Sequence, residues 1–119
     1  MSGRYTFTHD QGATLDRILT YKTDAGVPIP ISGMTARMQI RSRPDASGTL
    51  YATLSTTDGS IVVGGAGTIR LMVDADVTSG WSFRTGYYDL ELTDPSAEPP
   101  KVRRLIGGSF VLSPEVTIG

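Results

Sequence analysis

Cysteine is absent from this 119-residue chain. Disulfides and thiolate metal sites are excluded with it. Histidine occurs once, whereas a zinc site draws three or four ligands from His, Cys and carboxylates. No apolar run reaches the roughly 18 residues that a membrane-spanning helix needs. Charge of one sign is also missing. Eleven basic and 12 acidic residues leave a net charge of −1, so no long-range field would gather nucleic acid. The N-terminus carries Arg4 but no apolar stretch behind it, which reads against a signal peptide.

Glycine and proline are plentiful instead, at 14 and 7 residues, beside an apolar share of only 39%. Short strands joined by tight turns produce that composition. Two segments alternate almost without a fault. In residues 34–43, Met34, Ala36, Met38 and Ile40 oppose Thr35, Arg37, Gln39 and Arg41. In residues 87–93, Tyr88, Leu90 and Leu92 oppose Tyr87, Asp89, Glu91 and Thr93. A period of two with one apolar face marks a half-buried antiparallel strand.

Further strands are predicted over 4–8, 13–22, 49–54, 61–63 and 68–73, and a last arm over 101–106 and 109–112. Their spacing of roughly 8–12 residues is that of a sandwich. The expected fold is all-β: an antiparallel immunoglobulin-like β-sandwich of about 7–9 short strands. It forms one domain over 1–119, with extended N- and C-terminal segments.

Local features sharpen the prediction. Arg17 falls on the apolar side of its strand, which suggests a bulge or an arginine at a sheet edge. Pro28 and Pro30 confine residues 27–31 to an edge or a loop. Leu50, Ala52 and Leu54 are expected inward. Gly107-Gly108 suggests a bulge, or a bend where the strand crosses between sheets. Residues 74–80 are the one plausible helical piece, capped by Asp74 and closed by Gly80.

Candidate chemistry is sparse. His9-Asp10 could orient an imidazole, but no nucleophile motif accompanies it, and His9 reads as a surface turn residue. Gly64-Gly65-Ala66-Gly67 lacks the lysine and the helix of a phosphate loop, so it reads as a turn. Asp74 and Asp76 lack the remaining ligands of a calcium loop. Arg37, Arg41 and Arg43 line one face. They form a solvated face or a row pairing with Asp89 and Glu91, unless they meet a partner and set its register. Trp81, Phe83, Tyr87 and Tyr88 gather aromatics into eight residues. They are either core packing or an interface anchor. No catalytic, cofactor-binding or metal residues are assigned. The candidate interface residues are Arg37, Arg41, Trp81, Tyr87, Pro114 and Val116.

Four segments, in order, carry a resemblance. They are Gln11-Gly12-Ala13-Thr14-Leu15-Asp16-Arg17, Thr35-Ala36-Arg37-Met38-Gln39-Ile40-Arg41, Tyr88-Asp89-Leu90-Glu91-Leu92, and residues 107–117, Gly-Gly-Ser-Phe-Val-Leu-Ser-Pro-Glu-Val-Thr. Together they resemble small virion proteins of tailed bacteriophages and prophages, similar to the N-terminal immunoglobulin-like domain of phage baseplate upper proteins. The resemblance implies a non-enzymatic structural subunit of the tail, baseplate or neck that anchors or connects fibres. It would be made in the host bacterial cytoplasm and reside in the virion. Its implied partners are copies of itself and other virion proteins. No cofactor, small-molecule substrate, nucleic acid or membrane is implied. Longer relatives continue into receptor-binding or fibre segments after the module, so the expectation is a free-standing adaptor or decoration subunit. Residues 1–8 and 113–119 are its candidate arms for strand addition or for burying a patch. The alternatives are a capsid decoration protein, or a carbohydrate-binding module using Trp81, Tyr87 and Tyr88. A small enzyme would need a nucleophile and base that the sequence does not offer.

Overall fold

The computed structural model describes residues 3–117. Met1, Ser2, Ile118 and Gly119, the far ends of the two candidate arms, lie outside the described residues. Two sheets pack face to face as an immunoglobulin-like sandwich. The strands are β1 (Gly3–Arg4), β2 (Phe7–Asp10), β3 (Leu15–Thr20), β4 (Thr35–Arg41), β5 (Leu50–Ser55), β6 (Ile61–Val63), β7 (Thr68–Val73), β8 (Thr85–Asp94) and β9 (Lys101–Ser113). One short helix, α1 (Ala75–Ser79), joins β7 to β8 across the end of the sandwich. The larger sheet runs β9-β8-β4-β5, with β1 and β2 both on the far side of β9. The smaller runs β3-β7-β6. Every pairing is antiparallel except those of β1 and β2, which run parallel to β9.

The core follows the alternation. Met38 and Ile40 of β4, Leu90 of β8 and Leu71 of β7 are all at most 1% exposed. Each such burial removes about 1.5–3 kcal/mol of apolar hydration cost. Phe7, Trp81 and Phe83 gather around Phe110, with ring centroids 5.8–6.0 Å from it. Ile31 is fully buried although it sits in the proline-rich loop. That loop therefore lids the core rather than only connecting strands.

Several expectations are corrected by register. The first strand does not run unbroken over 4–8. It breaks at Tyr5-Thr6, and the second piece continues through His9 and Asp10. The irregularity suspected at Arg17 is not a bulge, because β3 pairs with β7 without a slip. Arg17 lies on an edge strand, where its guanidinium caps Phe7 at 5.6 Å and donates to the Thr8 carbonyl at 3.0 Å. The bulges lie elsewhere. One falls between Ile40 and Arg41, opposite Leu50 and Ala52. It turns Leu50 outward, 46% exposed, opposite Arg41. The other falls between Leu90 and Glu91, opposite Ile106 and Arg104.

Gly107-Gly108 does not interrupt the last strand, which stays in one sheet over all 13 residues of β9. The reason for glycine at 108 is steric. A Cβ there would collide with the Tyr5 carbonyl oxygen. The bare backbone lets the break between β1 and β2 settle against β9.

Candidate functional site

The outward face of the larger sheet brings its polar alternates together. Arg37 lies opposite Glu91, Gln39 opposite Asp89, and Arg41 opposite Tyr87. On the next strand Glu91 faces Arg104, Asp89 faces Gly107, and Tyr87 faces Ser109. Arg4 of β1 then falls beside Gly107. The surface is a groove of about 530 Å³, flanked by Pro44-Asp45-Ala46 of the β4–β5 turn. Gly3, Gly107 and Gly108 line it with backbone alone.

The groove is positively charged within a slightly acidic chain. Arg4, Arg37, Arg41, Arg43 and Arg104 line it against Asp45, Asp89 and Glu91. Five arginines against three carboxylates leave an excess of two positive charges, where the whole chain carries −1. Two of the carboxylates are already engaged. Asp89 pairs with Arg104 at 3.3 Å. The Ser47 hydroxyl, and then its amide, hold the Asp45 carboxyl below the usual carboxylate range. Arg41 is fixed rather than free, donating to the Gly48 carbonyl at 2.9 Å and to Gln39 Oε1 at 3.1 Å. Arg4, Arg37 and Arg43 are exposed. Arg37 stands across from Glu91, yet among the described residues the ion pairs are Arg70–Asp16 and Arg104–Asp89. Of the arginine row, only Arg37 therefore stands opposite a carboxylate in register, while Arg41 faces Tyr87 and Arg43 lies beyond β4.

Arg37, Arg41 and Tyr87, singled out by sequence, share this groove. Trp81 does not join them. It is 8% exposed and belongs to the core with Phe83, and Tyr88 is buried at 5%. The aromatic cluster therefore divides by alternation, with Tyr87 alone at the surface, 37% exposed. Pro114 and Val116 lie away from the groove, on the segment after β9. Its backbone is tied down at Glu115, whose N–H donates to Gln11 Oε1 at 2.8 Å. Gln11 Nε2 in turn donates to the Trp81 carbonyl at 2.7 Å. The C-terminal candidate arm is thus docked through Glu115, and Val116 beyond it is 95% exposed. The described part of the N-terminal candidate arm, residues 3–8, lies along β9 as β1 and the start of β2.

Sequence reasoning missed Arg104 and Arg4. Strict alternation puts Arg104 and Gly107 on opposite faces, because they are three residues apart. The bulge opposite Leu90 and Glu91 brings them to the same face. Nothing local signals that slip. Arg4 reaches the groove through a parallel pairing between the two ends of the chain.

The other candidates take structural places. His9 is not a surface turn residue. It sits in β2, 9% exposed, with Nε2 2.9 Å from the Ala13 carbonyl. Asp74 holds the N-cap position of α1 without a side-chain cap bond. Thr78, fully buried, ties that helix down by donating to the Ala13 carbonyl at 2.8 Å and accepting from the Gly12 amide at 3.1 Å. Gly64–Gly67 forms the β6–β7 turn, with Gly67 at a φ of +78° packed beneath the Tyr21 carbonyl. Among the described residues no cluster of three or more His, Cys, Asp or Glu could hold a metal ion. No helix there is long and apolar enough to cross a membrane.

No family model matches the chain, and no curated protein matches it. Among solved structures, Tim-1 aligns over 100% of both chains at 13% identity and a TM-score of 0.40. A likeness at that level carries no argument about function.

Proposed function

We propose that this chain is a non-enzymatic structural subunit of a tailed bacteriophage particle. It acts as a tail, baseplate or neck adaptor that joins neighbouring virion proteins. Two things support the reading. One is the resemblance carried by the four sequence segments. The other, and the observation on which the mechanism rests, is the groove on the outer face of the larger sheet. It gathers five arginines over a glycine-lined stretch in a chain of net charge −1. Complementary charge fixes orientation and register between partners more than it adds affinity. Arginine suits that role because its planar fork binds carboxylates in a fixed geometry. The occupant of the groove is then an acidic segment of a neighbouring virion protein. β-strands present four of the five arginines, Arg43 following β4 in the turn, so docking requires little reordering. A glycan-binding role draws less support, since Trp81 and Tyr88 are withdrawn into the core.

The test is composition of the particle. Phage particles produced by a host that carries this gene are purified on a density gradient and quantified by mass spectrometry. The chain is expected to co-purify at a fixed number of copies per particle. Its absence from particles, while it is present in the producing cells, overturns the reading.

A further inference from the structure

The edges of the two sheets are not equally protected. At one side of the larger sheet, the Thr8 carbonyl of β2 is taken by Arg17. In the smaller sheet, β3 carries Asp16 and Arg17, and β6 is only three residues long. The remaining edge is β5, Leu50-Tyr51-Ala52-Thr53-Leu54-Ser55, and among the described residues no strand lies on its outer side. It holds no charge, no proline and no glycine, the usual guards of an open edge.

The hydrogen bonds show which backbone groups face outward. The Thr56 amide turns in to the Ala36 carbonyl at 3.0 Å. The Ser55 amide turns out and is taken by Ser60 Oγ at 2.9 Å. Successive residues of an antiparallel strand alternate between the two sides. Leu54 therefore turns in, and Thr53 presents both N–H and C=O outward. Ser60 closes one end of this edge, and the bulge beside Tyr51 closes the other. Thr53 is the open rung between them.

We infer that β5 is a self-pairing edge, and that a second copy of this chain docks on it antiparallel, about a two-fold axis through Thr53. Each Thr53 N–H would donate to the carbonyl of its counterpart, joining two larger sheets edge to edge. The choice of a second copy rests on charge. A strand with no charged residue meets its own copy without placing like charges opposite one another, and threonine across from threonine is a favourable pair. An isologous contact of this kind is self-complementary by symmetry. The seam is short, so it is weak between free chains and strengthens when copies are held close on an assembly. The inference does not require the particle reading to be right, since it concerns the isolated chain.

The test uses sedimentation equilibrium of the purified chain up to about 1 mM, the range of a weak specific contact. The expected result is a reversible dimer of the 12.7 kDa chain. Thr53→Pro removes only an outward donor, so the bonds to β4 remain. It should weaken dimerisation at least about tenfold, equivalent to 1.4 kcal/mol, with an unchanged far-ultraviolet spectrum. Thr53→Lys places like charges across the axis and covers the case in which the proline variant fails to fold. A Thr53→Cys chain, clean because the protein has no cysteine, should oxidise to a covalent dimer faster than Ser96→Cys. Wild type that stays monomeric throughout overturns the inference. So does a folded Thr53 variant that dimerises as tightly as wild type. Neither result bears on whether the chain is found in particles, which separates this failure from that of the adaptor reading.

Discussion

Tyr88 shows at single-residue scale how the fold converts sequence into a measurable property. Its ring is buried against Phe7, with centroids 5.0 Å apart. Its hydroxyl donates to the Tyr5 carbonyl at 2.8 Å, reaching across 83 residues of sequence. Burial first, and the neighbouring Tyr5 second, push its ionisation above the usual tyrosine range. The phenolate is therefore disfavoured in the folded state relative to the unfolded one. Stability from this group is fully present below the ordinary tyrosine pKa of about 10. It falls as the pH rises beyond that value, because the unfolded chain releases the proton first. Tyr88→Phe is expected to cost about 1 kcal/mol at neutral pH, the typical worth of one such hydrogen bond. Urea denaturation at pH 7.5 and 10.5 checks both parts. The gap between wild type and variant should narrow at the higher pH.

At the scale of elements, the two chain ends decide how the larger sheet is finished. β1 and β2 lie parallel along β9, and the break between them rests over Gly108. The Tyr5 amide bonds to the Gly107 carbonyl at 3.1 Å. Gly108→Ala forces that carbonyl-lined break away from β9. Overpacking of this kind costs about 1–3 kcal/mol. Hydrogen exchange should show the Tyr5 amide losing protection while Met38 in β4 keeps its own. Thr78 plays the equivalent part at the helix. Thr78→Val keeps the shape but leaves the Gly12 amide without its acceptor and the Ala13 carbonyl with His9 Nε2 alone, and about 1–3 kcal/mol of stability should be lost in chemical denaturation.

The same elements show what could be read in advance. β4 and β8 were legible because one face of each is buried, which makes period two unavoidable. So were Arg37, Arg41 and Tyr87, since they occupy the other face of those strands. Leu50 and Arg104 were not, because each lies beside a bulge, and a one-residue slip exchanges the faces. The burial of His9 is hidden from the sequence for another reason. Its strand exists only through pairing with Leu112, more than a hundred residues away, and no local pattern reports such a contact. Trp81 and Tyr87, near in sequence, part company because one enters the core and the other faces out.

At the scale of the whole molecule, the near-neutral total hides an uneven distribution. The positive excess of the groove implies that the remaining surface is more acidic than the total suggests. Under the proposed adaptor role, the groove meets a neighbour while the rest of the surface repels non-specific contacts. The proposed adaptor role requires that the outer face of the larger sheet be covered in the assembled particle. The absence of cysteine makes this directly measurable. Arg37→Cys places one thiol in the groove, and Thr57→Cys places one in the exposed β5–β6 turn. Maleimide labelling rates are then compared between the free chain and purified particles. Cys at position 37 is expected to be protected in particles, while Cys at position 57 labels equally in both. Equal labelling at position 37 in the free and assembled states would contradict it.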